Sequence, residues 1–157
     1  MAFSGQFLEL LDLGSCNLTG AIPTELEQLS QLSQLNLSEN ELIGPIPASL
    51  DNATELAILL LDQNMLTGPV PRTIGNMNSL IILDISTNYL HGDVNFLPVF
   101  SDLPNLQYLS IKSNNFTGSL PNNVGNGKLL PETGGDPLSL PHPLPLPRAA
   151  PSGCLGG

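Results

Sequence analysis

Basic residues are nearly missing from the first half of this chain. Residues 1–71 contain no Lys or Arg but nine carboxylates, and all 157 residues include four Lys or Arg against fourteen Asp and Glu, a net charge of −10. A surface so acidic repels phosphate backbones and anionic headgroups, which excludes nucleic acid and charged lipid as partners. Basic peptides are the complementary class, and scattered acids that keep the chain soluble are the plainer explanation. Tryptophan is absent and aromatics make up 4% against 41% hydrophobic residues, so any core is aliphatic. Long apolar runs are also missing. The longest, Leu56–Leu61, is far below the ~20 residues that cross a bilayer, so this chain is not expected to insert into a membrane directly. Met1–Phe7 has neither the basic start nor the apolar stretch of a signal peptide, which leaves the compartment unknown.

Reactive chemistry is equally scarce. His91 and His142 are the only histidines, and neither has neighbours at ligand spacing, so no metal is expected. Gly125-Asn126-Gly127-Lys128 looks like the end of a phosphate loop, but Asn122 stands where its first Gly should be and Leu129 replaces Ser or Thr. No nucleophile elbow, kinase signature or Cys/His pair occurs. Two cysteines, Cys16 and Cys154, give no pairing by their spacing. The expectation is a chain with no catalytic residues and no cofactor.

What the sequence does have is a period. Leucines open a recurring unit at Leu8, Leu32, Leu56, Leu80 and Leu106, and each copy reads L-x-x-L-x-L-x-x-(N/C)-x-L-x-G, with Phe116 for Leu in the last. A fixed period of 20–29 residues marks a solenoid, and this string matches the leucine-rich repeat. The last two leucines of L-x-x-L-x-L lie two apart, as one face of a strand requires. Strands are therefore predicted over 9–14, 33–38, 57–62, 81–86 and 107–112. A single repeat cannot bury such a face, so neighbours stack as a parallel sheet. The fold expected is an α/β-type solenoid: a right-handed superhelix with the sheet on its concave side and an irregular or 3-10 convex side. The ninth position holds Cys16, Asn40, Asn64, Asn88 and Asn114, predicted to form a structural ladder because an amide there satisfies backbone groups of adjacent coils. Convex residues predicted to point inward include Leu26, Leu29, Leu50, Ile74, Met77, Phe100 and Leu103.

After the glycine come Ala21-Ile22-Pro23, Pro45-Ile46-Pro47, Pro69-Val70-Pro71 and Ser119-Leu120-Pro121. The string L-x-G-x-(I/V/L)-P in a 24-residue repeat resembles the plant-specific leucine-rich repeats, and Cys16–Pro23 and Asn64–Pro71 look nearest to the ectodomains of plant receptor-like serine/threonine kinases. The resemblance implies a non-catalytic module that binds a protein or peptide ligand or a co-receptor ectodomain, from a family at the plasma membrane facing the exterior, with the kinase domain absent from this chain. Secreted inhibitors of the polygalacturonase-inhibitor type, receptor-like proteins without a kinase, and a truncated remnant without function are the alternatives. The fourth repeat departs from the pattern, with no proline after Gly92 and two extra residues before Leu106, and is expected to loop out on the convex side.

Residues 1–127 are thus predicted to be the repeat domain and 128–157 a Pro/Gly-rich disordered tail, with seven prolines from Pro131 onward. Leu130–Gly134 has the letters of a sortase sorting signal but not the hydrophobic span and basic tail behind it. No cap is evident at either end of the repeats, so the chain reads as a fragment or truncated relative of a longer solenoid. Asn17, Asn36, Asn52 and Asn115 open N-glycosylation sequons, consistent with an extracellular setting. Ligand contacts are expected on the concave face, where the residues between the leucines point away from the core: Leu10, Asp12, Gln34, Ile58, Leu60, Asp62, Ile82, Asp84 and Tyr108. Among them Ile58, Leu60 and Ile82 are predicted to form an exposed apolar patch flanked by acids.

Overall fold

A computed structural model of the chain describes residues 7–119. The predicted tail, Cys154, His142 and the Leu130–Gly134 string lie outside the described residues. Ten short strands occur among the described residues, in chain order: β1 Leu10–Asp12, β2 Thr19–Ala21, β3 Gln34–Asn36, β4 Glu41–Gly44, β5 Ile58–Leu60, β6 Met65–Gly68, β7 Ile82–Asp84, β8 Tyr89–Asp93, β9 Tyr108–Ser110 and β10 Asn115–Thr117. The odd-numbered strands are the expected ones, trimmed to the centre of each predicted segment. They form one five-stranded parallel sheet in the order β1-β3-β5-β7-β9. Repeat-equivalent residues pair directly, as in Leu11 with Leu35, Leu59 with Leu83 and Leu83 with Leu109.

A second parallel sheet, β10-β8-β6-β4-β2, was not expected. It forms because the chain leaves the ladder position extended rather than turning at once. Leu42, Leu66 and Leu90 point into the core from it, while the residues on either side of each leucine face outward. Its register is offset from the first sheet: Thr19 pairs with Glu41 and Ile43 with Met65, two residues short of the repeat period. The strands β4 and β6 end at Gly44 and Gly68, whose φ of 79° and 83° a β-carbon would strain.

The prolines that follow set up the convex side. Pro23, Pro47 and Pro71 have φ between −62° and −64° and lead into 3-10 turns at Thr24–Gln28, Ala48–Asn52 and Arg72–Asn76. Leu50, Ile74 and Met77 enter the core from this side as predicted, and Leu26 and Leu29 pack against it half-buried. The fourth repeat does not loop out. Asp93 replaces the proline as the cap, its Oδ1 accepting the Asn95 N–H at 2.8 Å, and a 3-10 turn at Val94–Phe96 leads into a one-turn helix, α1, at Pro98–Ser101. The two extra residues let Phe96, Leu97 and Phe100 all reach the interior. The Phe96 ring meets Phe100 edge-on at 5.8 Å between centroids and Phe116 at 5.1 Å. The two departures from the consensus, the insertion and the Leu-to-Phe change at 116, therefore fill the same space. Gly75 in the preceding coil leaves room for α1, since a β-carbon there would collide with Val99 Cγ1.

The ladder asparagines join all of these layers. Asn64 Nδ2 is shared among the carbonyls of Leu37 (2.9 Å), Leu61 (3.2 Å) and Asp62 (3.2 Å), and its Oδ1 accepts the Leu42 N–H at 3.0 Å. Asn88 repeats the arrangement with Leu61, Ile85, Ser86 and Leu66, and Asn114 with Ile85, Ile111, Lys112 and Leu90. Asn40 donates to Leu13, Leu37 and Ser38 and accepts from both Cys16 and Leu18. Each amide thus connects its own coil to the one before. Cys16 holds the predicted ladder position without an amide: its N–H donates to Asn40 Oδ1 at 3.0 Å and its sulfur lies 3.4 Å from the Gly14 carbonyl.

The residue before each ladder position is left-handed: Ser15, Glu39, Gln63, Thr87 and Ser113 have φ between 54° and 56°. That conformation turns their N–H groups onto the next coil, as in Glu39 to Asp62 O (3.0 Å) and Thr87 to Lys112 O (2.9 Å). For β-branched Thr87 it is the most strained of the five. Asparagine tolerates this region, so Thr87→Asn is expected to raise stability by about 1 kcal/mol, the order of the left-handed penalty. Chemical denaturation checks this, and an unchanged or lower midpoint would count against the strain.

Candidate functional site

The concave sheet brings the predicted residues into two rows. Gln34, Ile58, Ile82 and Tyr108 pair in succession from Leu10 onward, and Asp12, Asn36, Leu60, Asp84 and Ser110 form the adjacent row. Asp62 follows β5. All nine candidate residues therefore lie on or beside this sheet. The expected exposed patch, however, is smaller than predicted. Ile82 is buried at 7% exposure, and Ile58 and Leu60 are half-buried. Neighbouring strands about 4.8 Å apart let side chains in one row shield each other, and Ile82 sits between Ile58 and Tyr108. Leu10, at the edge, is exposed.

The acids of this face are held by neutral donors. Asp12 Oδ1 accepts from Asn36 Nδ2 at 2.8 Å and the Gly14 N–H at 3.1 Å. Asp62 accepts from the Ser38 hydroxyl and from Gln63 Nε2. Ser15 donates to Glu39 at 2.8 Å. Asp84 Oδ1 accepts both the Ser86 N–H (2.9 Å) and the Ser86 hydroxyl (2.6 Å), and the Tyr108 hydroxyl approaches Asp84 Oδ2 at 3.3 Å. These bonds fix the carboxylates without neutralising them, so the face keeps its negative charge. Glu132, Asp136, Lys128 and Arg148 lie outside the described residues and balance, so the solenoid itself carries the whole excess of acid.

Asp84 is the most perturbed of these groups. Burial raises its pKa above 3.8, against the lowering effect of the Ser86 bonds, and the Asp62 charge adds to the rise. Tyr108 is also raised, first by burial and then by the charge of Asp84, with a smaller opposing influence from Ser110. The Ser110 side chain is fully buried, and its bond to the Tyr108 hydroxyl is the one influence that lowers the Tyr108 pKa.

Of the sequons, Asn36 is the least available, because its amide is taken by Asp12 and its Oδ1 accepts the Ser38 N–H at 3.0 Å. Asn17, Asn52 and Asn115 are exposed, with Asn52 donating to Glu27 at 3.2 Å. Among the described residues no cluster of His, Cys, Asp or Glu could hold a metal, and no helix is long and apolar enough to cross a membrane. A cavity of about 200 Å³ at the first coil is lined by Leu11, Leu13, Leu18, Ile22 and Leu26 and offers no reactive group. Sequence reasoning missed the outer face of the second sheet, where Ile43, Met65 and Tyr89 are exposed. The signal was the alternation around the leucine after each ladder Asn, as in Glu41-Leu42-Ile43 and Tyr89-Leu90-His91.

A family model for the Leucine Rich Repeat matches residues 7–29, 31–53 and 105–126. The fold is a leucine-rich-repeat solenoid, and the solved structures it resembles are plant receptor-kinase ectodomains. Among solved structures it is similar to the ectodomain of the receptor kinase SOBIR1 from Arabidopsis thaliana, at 36% identity and a TM-score of 0.66, over 73% of this chain and 61% of that one. The ectodomain of the Arabidopsis receptor kinase HAESA, in complex with an IDA peptide hormone ligand, is 33% identical with a TM-score of 0.69, over 78% of this chain. A chain of the Arabidopsis BIR3–SERK2 complex is 34% identical with a TM-score of 0.68. This leucine-rich-repeat chain spans 21% of the HAESA chain and 59% of that from the BIR3–SERK2 complex. No curated protein gives a significant match.

The perturbation of Asp84 has a consequence that can be measured. A carboxyl whose pKa is raised on folding holds its proton more tightly in the folded state, so its ionisation opposes folding as pH rises through the raised value. Asp84→Asn removes that ionisation and keeps an oxygen for Ser86. The variant is expected to melt above the wild type at about pH 7, with the gap closing near the ordinary carboxylate pKa of ~3.9. A gap that is constant with pH, or opens only in acid, would contradict the burial of this charge.

Proposed function

We infer that this chain is a non-catalytic recognition module that binds a protein or peptide on its concave sheet, as a segment of a plant receptor-kinase ectodomain. One observation carries the reading: Gln34, Ile58, Leu60, Asp84 and Tyr108 lie on the concave sheet with Asp62 just beyond β5, and no ladder asparagine bonds to their side chains. The HAESA structures, with the peptide hormone IDA and with IDA and the co-receptor SERK1, supply the precedent for a peptide or a co-receptor ectodomain as partner. The exposed sequons at Asn17, Asn52 and Asn115 support an extracellular position.

The test is selection of binders from a random peptide display library on the folded chain, followed by substitution. Ile58→Ser and Leu60→Ser are expected to weaken the selected peptides by about tenfold each, roughly the loss of one well-packed aliphatic contact. Glu25→Lys and Arg72→Glu, in the convex turns, are expected to leave binding unchanged. Convex substitutions that abolish binding while the concave ones do not would place recognition elsewhere.

A further inference from the structure

The outer face of the second sheet carries an apolar strip that ends at a sequon. Strand alternation turns Leu42, Leu66 and Leu90 toward the core, so Ile43, Met65 and Tyr89 stand on the opposite face, 50%, 38% and 55% exposed. Asn115 and Thr117 of the sequon share that face, on either side of the half-buried Phe116. Ile43 pairs with Met65, Thr67 of the same strand pairs with Tyr89, and His91 beside Tyr89 pairs with Asn115. The strip therefore crosses β4, β6 and β8 and meets Asn115 on β10. The sequons also differ in how their amides are engaged. Asn36 gives its amide to Asp12, and Asn52 gives its own to Glu27. The Asn115 side chain is exposed and makes no hydrogen bond among the described residues. Asn17, by the opposite edge of the sheet, is exposed too, but the strand beside its sequon presents Glu41 in place of an aromatic ring.

We propose that Asn115 carries an N-linked glycan whose first sugars lie on the Tyr89 ring, with the sugars that follow crossing Met65 toward Ile43. The proposal rests on the extracellular reading given above. Tyr89 is one strand and two residues from Asn115, about 8 Å at ~4.8 Å between strands and ~3.3 Å per residue, which is within reach of the first or second sugar. One face of a β-linked N-acetylglucosamine ring is made of axial C–H groups, and it packs on an aromatic face as another apolar ring does. Its hydroxyl and amide groups stay at the rim, beside the polar side chains of Thr67 and His91. Ile43 lies two strands beyond Tyr89, roughly 10 Å, the length of two further sugars. Exposed apolar side chains in contact mark a surface that something covers, and the glycan is the occupant that this chain attaches at the strip's own end.

The experiment secretes the full chain from cultured plant cells behind a cleavable leader, as wild type, Asn115→Gln, Tyr89→Thr and the double variant. Threonine keeps the strand preference of tyrosine and removes the ring. Glycopeptide mass spectrometry reads the occupancy of each sequon, and thermal unfolding reads stability. Asn115 is expected to be occupied. Tyr89→Thr is expected to lower the melting temperature of the glycosylated chain by about 4 °C and that of the Asn115→Gln chain by less than about 1 °C, since the two sites couple only through the sugar. Enzymatic removal of glycans from the folded chain is the second readout. It is expected to be severalfold slower at Asn115 than at Asn17, with the difference lost in Tyr89→Thr. An equal fall in melting temperature with and without the Asn115 glycan, or equal release from the two sites, would overturn the seat and leave the strip to a protein partner. A bare Asn115 beside an occupied Asn17 would also overturn it, while the extracellular reading stands. A chain without a glycan at any sequon would overturn it and remove the support that the sequons give to that reading.

Discussion

Every layer of this solenoid is tied to the next by one side-chain amide per coil. Backbone pairing in the two sheets links adjacent coils, but each strand is only three to five residues long and strands so short hold register weakly by themselves. The ladder asparagine closes the space between the sheets. Its NH₂ group meets carbonyls at the end of a first-sheet strand in two successive coils, and its oxygen receives the N–H of a leucine entering the second sheet of the coil before, as Asn64 does with Leu42. These backbone groups are buried where the chain bends and neither sheet can pair them. Their satisfaction by one residue type explains why both sheets persist along the chain although their registers differ.

The features legible in the sequence were those that repeat. The leucine spacing located the five concave strands, and the asparagine at the ninth position located the ladder, because each pattern recurs with the period and each has one physical reading. The second sheet was hidden by the same regularity. Its strands are short segments around a single leucine and a glycine, as in Glu41–Gly44 and Met65–Gly68, and their pairing is stabilised by the ladder amides instead of by β-branched runs. The fourth repeat was misread because the missing proline suggested a missing turn. Asp93 restores the turn through its side chain, and the aromatic residues that follow turn inward to meet Phe116. Exposure across strands was beyond reach. Strand alternation places Ile82 on the concave side, but it says nothing of the shielding by Ile58 and Tyr108 that buries it.

The concave face combines firm placement with unspent electrostatic capacity. Serine, asparagine and glutamine side chains orient Asp12, Asp62 and Asp84, so their positions do not depend on a bound cation, and the negative field is retained for a partner. Asp84 carries a cost for this, since part of its hydration is lost in the folded state. Destabilised charge at a surface that binds is a familiar trade between stability and recognition. The acid-rich composition that excluded nucleic acid at the outset is thus concentrated, in part, where binding is proposed.

The central claim is that the ladder amide, and not strand pairing alone, holds the coils together. Asn64→Ala tests it, measured by denaturant unfolding together with amide hydrogen exchange. The change leaves the N–H of Leu42 without its partner and takes one of two donors from each of the carbonyls of Leu37, Leu61 and Asp62, which keep Asn40, Asn88 and the Glu39 N–H. With one buried unsatisfied N–H costing about 1–3 kcal/mol and three carbonyl bonds lost besides, the loss is expected to exceed ~2 kcal/mol. Exchange protection should fall in β3 to β6, on both sheets at once. A loss near ~1 kcal/mol, with protection in both sheets unchanged, would show that strand pairing suffices and that the ladder is secondary.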